Sequence, residues 1–222
     1  MIVSHSRRFI FLRTEKTGGT SLTAALRAIA APGDTYPGEV RPSWSKRLPF
    51  SYGGLQRNAP DVFGLHPHAT AAQARRVLGR QVFDSYFKFA IERNPWDRQV
   101  SLYTHREWKK GRGNDGFDRH MRSALYRNTE YCRLNNWSIY AIDGTVVADK
   151  ILRYETLQDE IEALQALIDA PLLEAMPRMR VYDSDRPHYS TFYTAASRDR
   201  VARWYRREID AFGYTFEDKR TG

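Results

Sequence analysis

The 222-residue sequence predicts a single α/β domain, residues 1–222, with a central parallel β-sheet flanked by helices. Three observations predict it. Strand-like apolar runs alternate with amphipathic helical stretches, the pattern of crossover units. A glycine turn joins the first run to the first helix in a P-loop-like strand–loop–helix. The segments that carry chemistry all follow strands, where ligands of open parallel sheets bind.

The elements follow in order. Phe9-Ile10-Phe11-Leu12 is rich in aromatic and branched residues and reads as a buried first strand. Leu22, Ala25, Leu26 and Ile29 then recur at helical spacing. Residues 31–62 carry repeated Pro and Gly and read as a long connection. With Tyr36, Arg41, Trp44, Lys46, Arg47, Phe50 and Tyr52 it is either a lid over a bound molecule or a packed irregular excursion. Val62-Phe63-Gly64-Leu65 is a short strand candidate. Thr70-Ala71-Ala72-Gln73 has the form of a capping box and opens a helix that closes at Gly79. Tyr86 to Ile91 reads as a central strand, and Pro95 starts a helix with Trp96, Val100 and Tyr103 on its inner face.

Residues 109–118 read as a surface loop, and Val146 to Leu152 as a further strand. Thr156 is placed to cap a helix striped by Leu157, Ile161, Leu164 and Ile168. Residues 171–192 look irregular, and Thr194 caps a last helix with Val201, Trp204, Tyr205, Ile209 and Phe212 on one side.

Composition narrows the function classes. Lys and Arg total 35 against 26 Asp and Glu, a formal charge of +9 that favours anionic partners without choosing among them. The sequence shows no repeat and no apolar run near the roughly 20 residues that span a bilayer. The apolar stretch after Arg7 and Arg8 is about four residues long, too short for a signal peptide. The lone Cys132 leaves no internal disulfide and no cysteine-based metal site. These features point to a soluble protein of a reducing cytoplasm.

Lys16-Thr17-Gly18-Gly19-Thr20-Ser21 lies between the first strand and its helix. Glycines let the backbone curl with its N–H groups inward, and a helix N-terminus adds partial positive charge, so the segment can cradle a phosphate. Lys16 adds a full charge, and Thr17, Thr20 and Ser21 add hydroxyls. The lysine precedes the glycines and the loop is short, unlike the nucleotide-hydrolase P-loop with its magnesium-binding hydroxyl. Arg93 stands at a strand end with Ser101 in the following helix. The pair either binds a second phosphate or serves packing, with Arg93 tied to Glu92 or Asp97. His66 and His68 are candidates for proton abstraction, for a metal or for a structural pair, but no Cys or carboxylate cluster adjoins them.

Together these segments resemble the sulfotransferases that use 3′-phosphoadenosine 5′-phosphosulfate (PAPS), in particular the carbohydrate-type branch of uronyl 2-O-sulfotransferases and their bacterial relatives. Lys16 to Ser21 is similar to the 5′-phosphosulfate loop, and Arg93-Asn94-Pro95-Trp96-Asp97-Arg98 through Ser101 to the 3′-phosphate motif. His66-Pro67-His68-Ala69-Thr70-Ala71 is similar to the segment that supplies the base. Ile151 to Leu157 and Phe212-Gly213-Tyr214-Thr215-Phe216 also fit the family, as structural segments. Glu15 departs from the proline often found beside the lysine.

The resemblance implies PAPS as donor, PAP as product, no required metal, and a hydroxyl-bearing sugar, glycolipid or small-molecule acceptor, with neither nucleic acid nor a membrane span involved. It implies that His68 is the base and that Lys16 stabilises the leaving phosphate. The position of His66 two residues earlier suggests a supporting or acceptor-contact role, and the nearby Glu15 is the next candidate should His68 not be the base. Lys16, Thr17, Gly18, Gly19, Thr20, Ser21, Arg93 and Ser101 would hold the nucleotide. Two other readings compete: a nucleotide-dependent phosphotransferase, which needs a magnesium-binding hydroxyl and an acidic partner, and a basic module for anionic polymers, which leaves the Lys16 loop unexplained.

Overall fold

Aromatic residues on neighbouring strands organise the sheet. A computed structural model describes residues 1–35, 52–106, 115–123, 135–176 and 186–220. The first part of the chain forms β1 (Ile2–Ser4), β2 (Phe9–Phe11), α1 (Gly19–Ala28), α2 (Tyr52–Asn58) and α3 (Pro60–Phe63). Next come α4 (Ala71–Leu78), α5 (Arg80–Ser85), β3 (Phe87–Glu92), α6 (Pro95–Arg106) and α7 (Asp115–Arg122). The chain continues through α8 (Trp137–Tyr140), β4 (Ala141–Ile142), β5 (Thr145–Val146) and β6 (Lys150–Arg153). It closes with α9 (Leu157–Ile168), α10 (Leu172–Ala175), α11 (Ala195–Trp204) and α12 (Arg206–Phe212).

The chain divides into two compact units, residues 1–92 with 138–179, and residues 93–137 with 180–222. The first holds a four-stranded sheet in the order β1-β2-β3-β6. β2, β3 and β6 run parallel, with Phe11 opposite Phe89 and Ile91 opposite Leu152. β1 pairs antiparallel with β2, so the sheet is mixed rather than wholly parallel. Phe11 stacks on Phe89 at 5.2 Å between ring centres. Leu22, Leu26, Ile161 and Leu164 from the covering helices close over these rings with almost no exposure. Each such side chain contributes about 1.5–3 kcal/mol by leaving water.

The second unit is built around α6. Val100, Tyr103, Phe117, Phe192, Tyr193 and Val201 are buried there, with edge-on aromatic contacts such as Phe117 to Tyr193 at 4.9 Å. Arg98 is fully buried, its guanidinium 4.5 Å from the centre of the Tyr205 ring and 3.5 Å from Glu208.

Several expectations are met. The capping box at Thr70 is present with both of its bonds, and α4 ends before Gly79. β3, α6 and the cap at Thr194 stand where the pattern puts them, the cap closed into a box by Ser197. Others need correction. β2 is the second strand, preceded by β1. Val62 lies in helix α3 and is 75% exposed, because Pro60 occupies the first helical turn and Gly64 ends it at φ 75°. Val146 to Leu152 spans two strands, β5 and β6, and between them the exposed Asp149 accepts the backbone N–H of Lys88. Thr156 stands at the start of α9 but makes no side-chain cap bond. The last predicted helix is two, broken at Tyr205.

Part of the long connection is helical in α2 and α3, while residues 36–51 lie outside the described residues. Of residues 109–118, those from Asp115 onward belong to α7 and the earlier ones lie outside the described residues. In the stretch 171–192, α10 and a 3₁₀ turn at Tyr189–Phe192 flank residues 177–185, also outside, as is Cys132. Among the described residues no helix is long and apolar enough to cross a membrane.

Candidate active site

The lysine loop leaves β2 after Leu12, whose N–H still bonds the Phe89 carbonyl at 2.8 Å. Thr14 then turns its hydroxyl to the Ile91 carbonyl and lies 2.8 Å from the Thr17 hydroxyl. A carbonyl only accepts, so Thr14 spends its proton there and Thr17 donates to Thr14. The buried Thr17 hydroxyl therefore braces the loop.

Two left-handed residues shape the loop, Lys16 at φ 61° and Gly18 at φ 75°. At Gly18 a Cβ would lie 2.9 Å from Cε2 of Tyr154, so both the backbone angle and the tyrosine demand glycine. That contact gives the segment around Tyr154 a structural task. Gly18 precedes α1 without any side-chain cap bond, and the first turn of α1 holds no acidic residue. The helix start is thus suited to an anion. Thr20 is exposed, Ser21 is half-buried, and the Thr20 hydroxyl accepts from Arg13 Nη2 at 3.3 Å.

His68 comes to the same place. Its Nδ1 lies 2.9 Å from the carbonyl oxygen of Arg13, three residues ahead of Lys16. Since that oxygen only accepts, Nδ1 carries the ring proton and Nε2 holds the lone pair of the neutral ring. His66 has the opposite tautomer: its Nδ1 accepts the His68 backbone N–H at 3.0 Å, which puts its proton on Nε2. The two rings are 5.7 Å apart. Burial pushes His68 down to about 3, opposed by the bond to the Arg13 carbonyl and assisted by the charges of Arg13 and the chain's amino group. Burial, with Arg57, the same amino group and Arg13, lowers His66 to about 4. Both rings are neutral near pH 7.

In the second unit, Arg93 follows β3 directly and is buried. Its Nε and Nη2 reach Asp97 Oδ2 at 2.7 and 2.6 Å. Asp97 Oδ1 accepts from Arg186 Nη2 at 2.5 Å. Burial raises the Asp97 carboxyl, but the two guanidinium groups outweigh it and hold the acid below its ordinary range. Asp97 thus bridges the two guanidinium groups and fixes them side by side. Ser101 is buried one helical turn beyond Asp97, on the same face of α6. Asn94 accepts the Trp96 N–H, opening α6, and donates to the Thr215 carbonyl at 3.1 Å, which gives the C-terminal segment its anchoring role.

The residues 1–215 match the profile of the sulfotransferase family. The chain belongs to that family. It is a transferase of the sulfuryl-transfer class, and its family generally works with PAPS and a hydroxyl-bearing acceptor. The sulfotransferase is also 30% identical over 99 residues to an uncharacterized protein of Archaeoglobus fulgidus, across 44% of this chain and 79% of that protein. No solved structure matches it.

Within the first unit the fold of this sulfotransferase brings Lys16, the glycines and His68 together through Arg13. Arg93 and Ser101 belong to the second unit. Sequence reasoning missed Arg13, Arg57 and Arg186. Arg13 could have been noticed as the cation three residues before Lys16, whereas Arg57 and Arg186 sit in stretches with no motif. Among the described residues no group of three or more His, Cys, Asp or Glu side chains is arranged to hold a metal ion.

Proposed function

We propose that this sulfotransferase moves the sulfuryl group of PAPS to a hydroxyl of a carbohydrate or glycoconjugate, as the resemblance to the uronyl 2-O branch and its bacterial members suggests. The observation that carries the reading is the bond from His68 Nδ1 to the Arg13 carbonyl beside the lysine loop. It leaves His68 Nε2 unprotonated, the state a general base needs. Nε2 takes the acceptor's proton as the acceptor oxygen bonds to sulfur and the bond from sulfur to the bridging phosphate oxygen breaks. Lys16 and the N–H groups at the start of α1 stabilise the charge that remains on that oxygen, the electrostatic contribution that usually dominates.

His68 is a weak base while the site is empty of anion. Its depression comes from burial and from positive neighbours. A donor carrying several negative charges offsets those neighbours and raises the ring's basicity as the reactants assemble. In this reading Thr17, Gly18, Gly19, Thr20 and Ser21 hold the 5′-phosphate, Thr17 through its backbone. Arg93 and Ser101, with Arg186 sharing Asp97, bind the 3′-phosphate. His66 offers Nε2–H to the acceptor.

The family match runs through residues of both units, which supports treating 1–222 as one sulfotransferase domain. The single Cys132 supports a cytoplasmic setting. Positive charge from Lys16 and the arginines calls for nucleotide binding without added metal.

The test is calorimetry with PAP in the presence of a chelator, followed by transfer from labelled PAPS to a panel of sugars and alcohols. PAP should bind, and at 100 times its dissociation constant stabilise the fold by about 2.7 kcal/mol. Binding of magnesium ATP without binding of PAP would overturn the donor assignment.

A further inference from the structure

Resting on the reading that Lys16 and His68 carry the transfer, we propose that Glu15 and Arg57 are positioning residues that lock the histidine segment to the lysine loop. The departure from proline at position 15 thereby acquires a task. Arg57 Nη2 reaches Glu15 Oε1 at 3.4 Å, and Glu15 is covalently joined to Lys16. The backbone carbonyl of Arg57 accepts Gln73 Nε2 at 2.7 Å. Gln73 is also the residue that closes the capping box with Thr70, two positions beyond His68. One residue earlier on α2, the buried Gln56 donates to the Leu65 carbonyl at 3.2 Å, immediately ahead of His66. Helix α2 therefore grips the histidine segment on both sides, at Leu65 and at Gln73, and Arg57 ties that clamp to the residue beside Lys16.

The arrangement has a purpose that the bonds at His68 alone do not serve. The Arg13 carbonyl sets the ring's tautomer, but a ring hung from one carbonyl can still swing about that bond. A clamp on the flanking backbone restricts the swing. Misplacement of a reacting group by about 1 Å costs on the order of 100-fold in rate. Glu15 and Arg57 are each partly exposed, at 20% and 39% of their side chains, so the pair is a register device more than a source of stability.

The test uses Glu15→Gln, Arg57→Met, the double variant and the exchanged pair Glu15→Arg with Arg57→Glu. Long-range nitrogen–proton NMR reads the tautomers of His66 and His68 in the protein alone, so this arm is independent of any sulfuryl transfer. The charges facing these rings are Arg13, Arg57, the chain's amino group and each ring's partner histidine. Glu15→Gln removes none of them. In the native protein the His68 signal should stay in the Nδ1–H form through the acid range down to about pH 4, because its own value is about 3. In Glu15→Gln and in Arg57→Met it should become a tautomer mixture that titrates at higher pH.

Turnover should fall about 10-fold or more in each single variant with the donor KM within about twofold, and the double variant should be no worse than either. The exchanged pair should regain part of the rate and the native tautomer. Native-like His68 spectra in both single variants would overturn the proposal, as would losses that multiply in the double variant. Should the native enzyme transfer nothing from PAPS, the functional reading fails, while the spectra still decide whether the clamp positions His68.

Discussion

The two regions that carry the candidate chemistry are built on opposite plans. The lysine loop and histidine segment rely on backbone: the start of α1, the Arg13 carbonyl, two left-handed residues and a histidine pair tied to main chain. The region after β3 relies on side-chain charge, with Arg93 and Arg186 both held by the Asp97 carboxylate. Backbone groups are rigid and carry partial charge, so they suit a site where charge develops at one fixed oxygen. Paired guanidinium groups carry full charge in a fork, and they suit a group that is bound and never reacts. In the proposed function the first region carries the chemistry and the second the affinity.

The sharpest way to break that contrast is to remove His68. His68→Ala should lower kcat 100- to 10,000-fold, the usual range for a general base, while PAP affinity stays within a few-fold of native. Lys16→Ala should reduce both if, as proposed, its ammonium meets the donor before and during the reaction. A His68→Ala enzyme with native turnover would move the base elsewhere, to Glu15 first. On the other side of the comparison, Arg93→Ala should weaken PAP by about 1.5–3 kcal/mol and adenosine 5′-phosphosulfate, which lacks the 3′-phosphate, far less. Equal losses for both ligands in calorimetry would mean that Arg93 serves only the Asp97 cluster.

The contrast also explains what could be read in the sequence. The lysine loop, the capping boxes and β3 are local events, written in turn residues and in periodicity over a few positions. The Gly18 requirement is half local: its φ is announced by the residue type, but its close approach to Tyr154 is not. Arg57 and Glu15 are 42 residues apart, Arg13 and His68 are 55, and Arg186 and Asp97 are 89. No pattern in a single sequence pairs side chains at such separations, so the clamp and the shared carboxylate stayed hidden. Val62 was misread for another reason. Four apolar residues fit a strand or a helical turn equally, and Pro60 was the signal that decided for helix.

A smaller effect probes the rigidity of the backbone-built region. Gly18→Ala should destabilise the protein by about 1–2 kcal/mol from the left-handed angle alone. The approach to Tyr154 adds to that loss. Replacing Tyr154 by leucine in the same chain should recover the steric part and leave the angular part. Should Gly18→Ala melt with the native protein, the loop adapts freely and the claim of a preformed backbone site is wrong.

The last comparison between the two regions is made in acid. His66 and His68 lie at about 4 and about 3 in the fold, below the ordinary 6.5 they regain on unfolding. Between pH 6.5 and 4 the unfolded chain therefore binds protons that the native state refuses, so stability must fall as pH falls through that window. Their contribution is fully present above pH 6.5 and is lost on the way down. Asp97, whose acid is held below its ordinary value, acts on a lower window, near and below pH 4. The two regions thus separate on the pH axis. Melting temperatures of the native protein should drop from pH 7 to pH 5, and His66→Asn with His68→Asn should flatten that drop. Asp97→Asn should leave the same interval unchanged and alter only the more acidic limb. Identical slopes between pH 7 and 5 in the native and double-histidine proteins would mean that both rings take protons freely in the fold. In that case the surroundings of His68 do not keep the ring neutral, and an incoming anion has no lost basicity to restore.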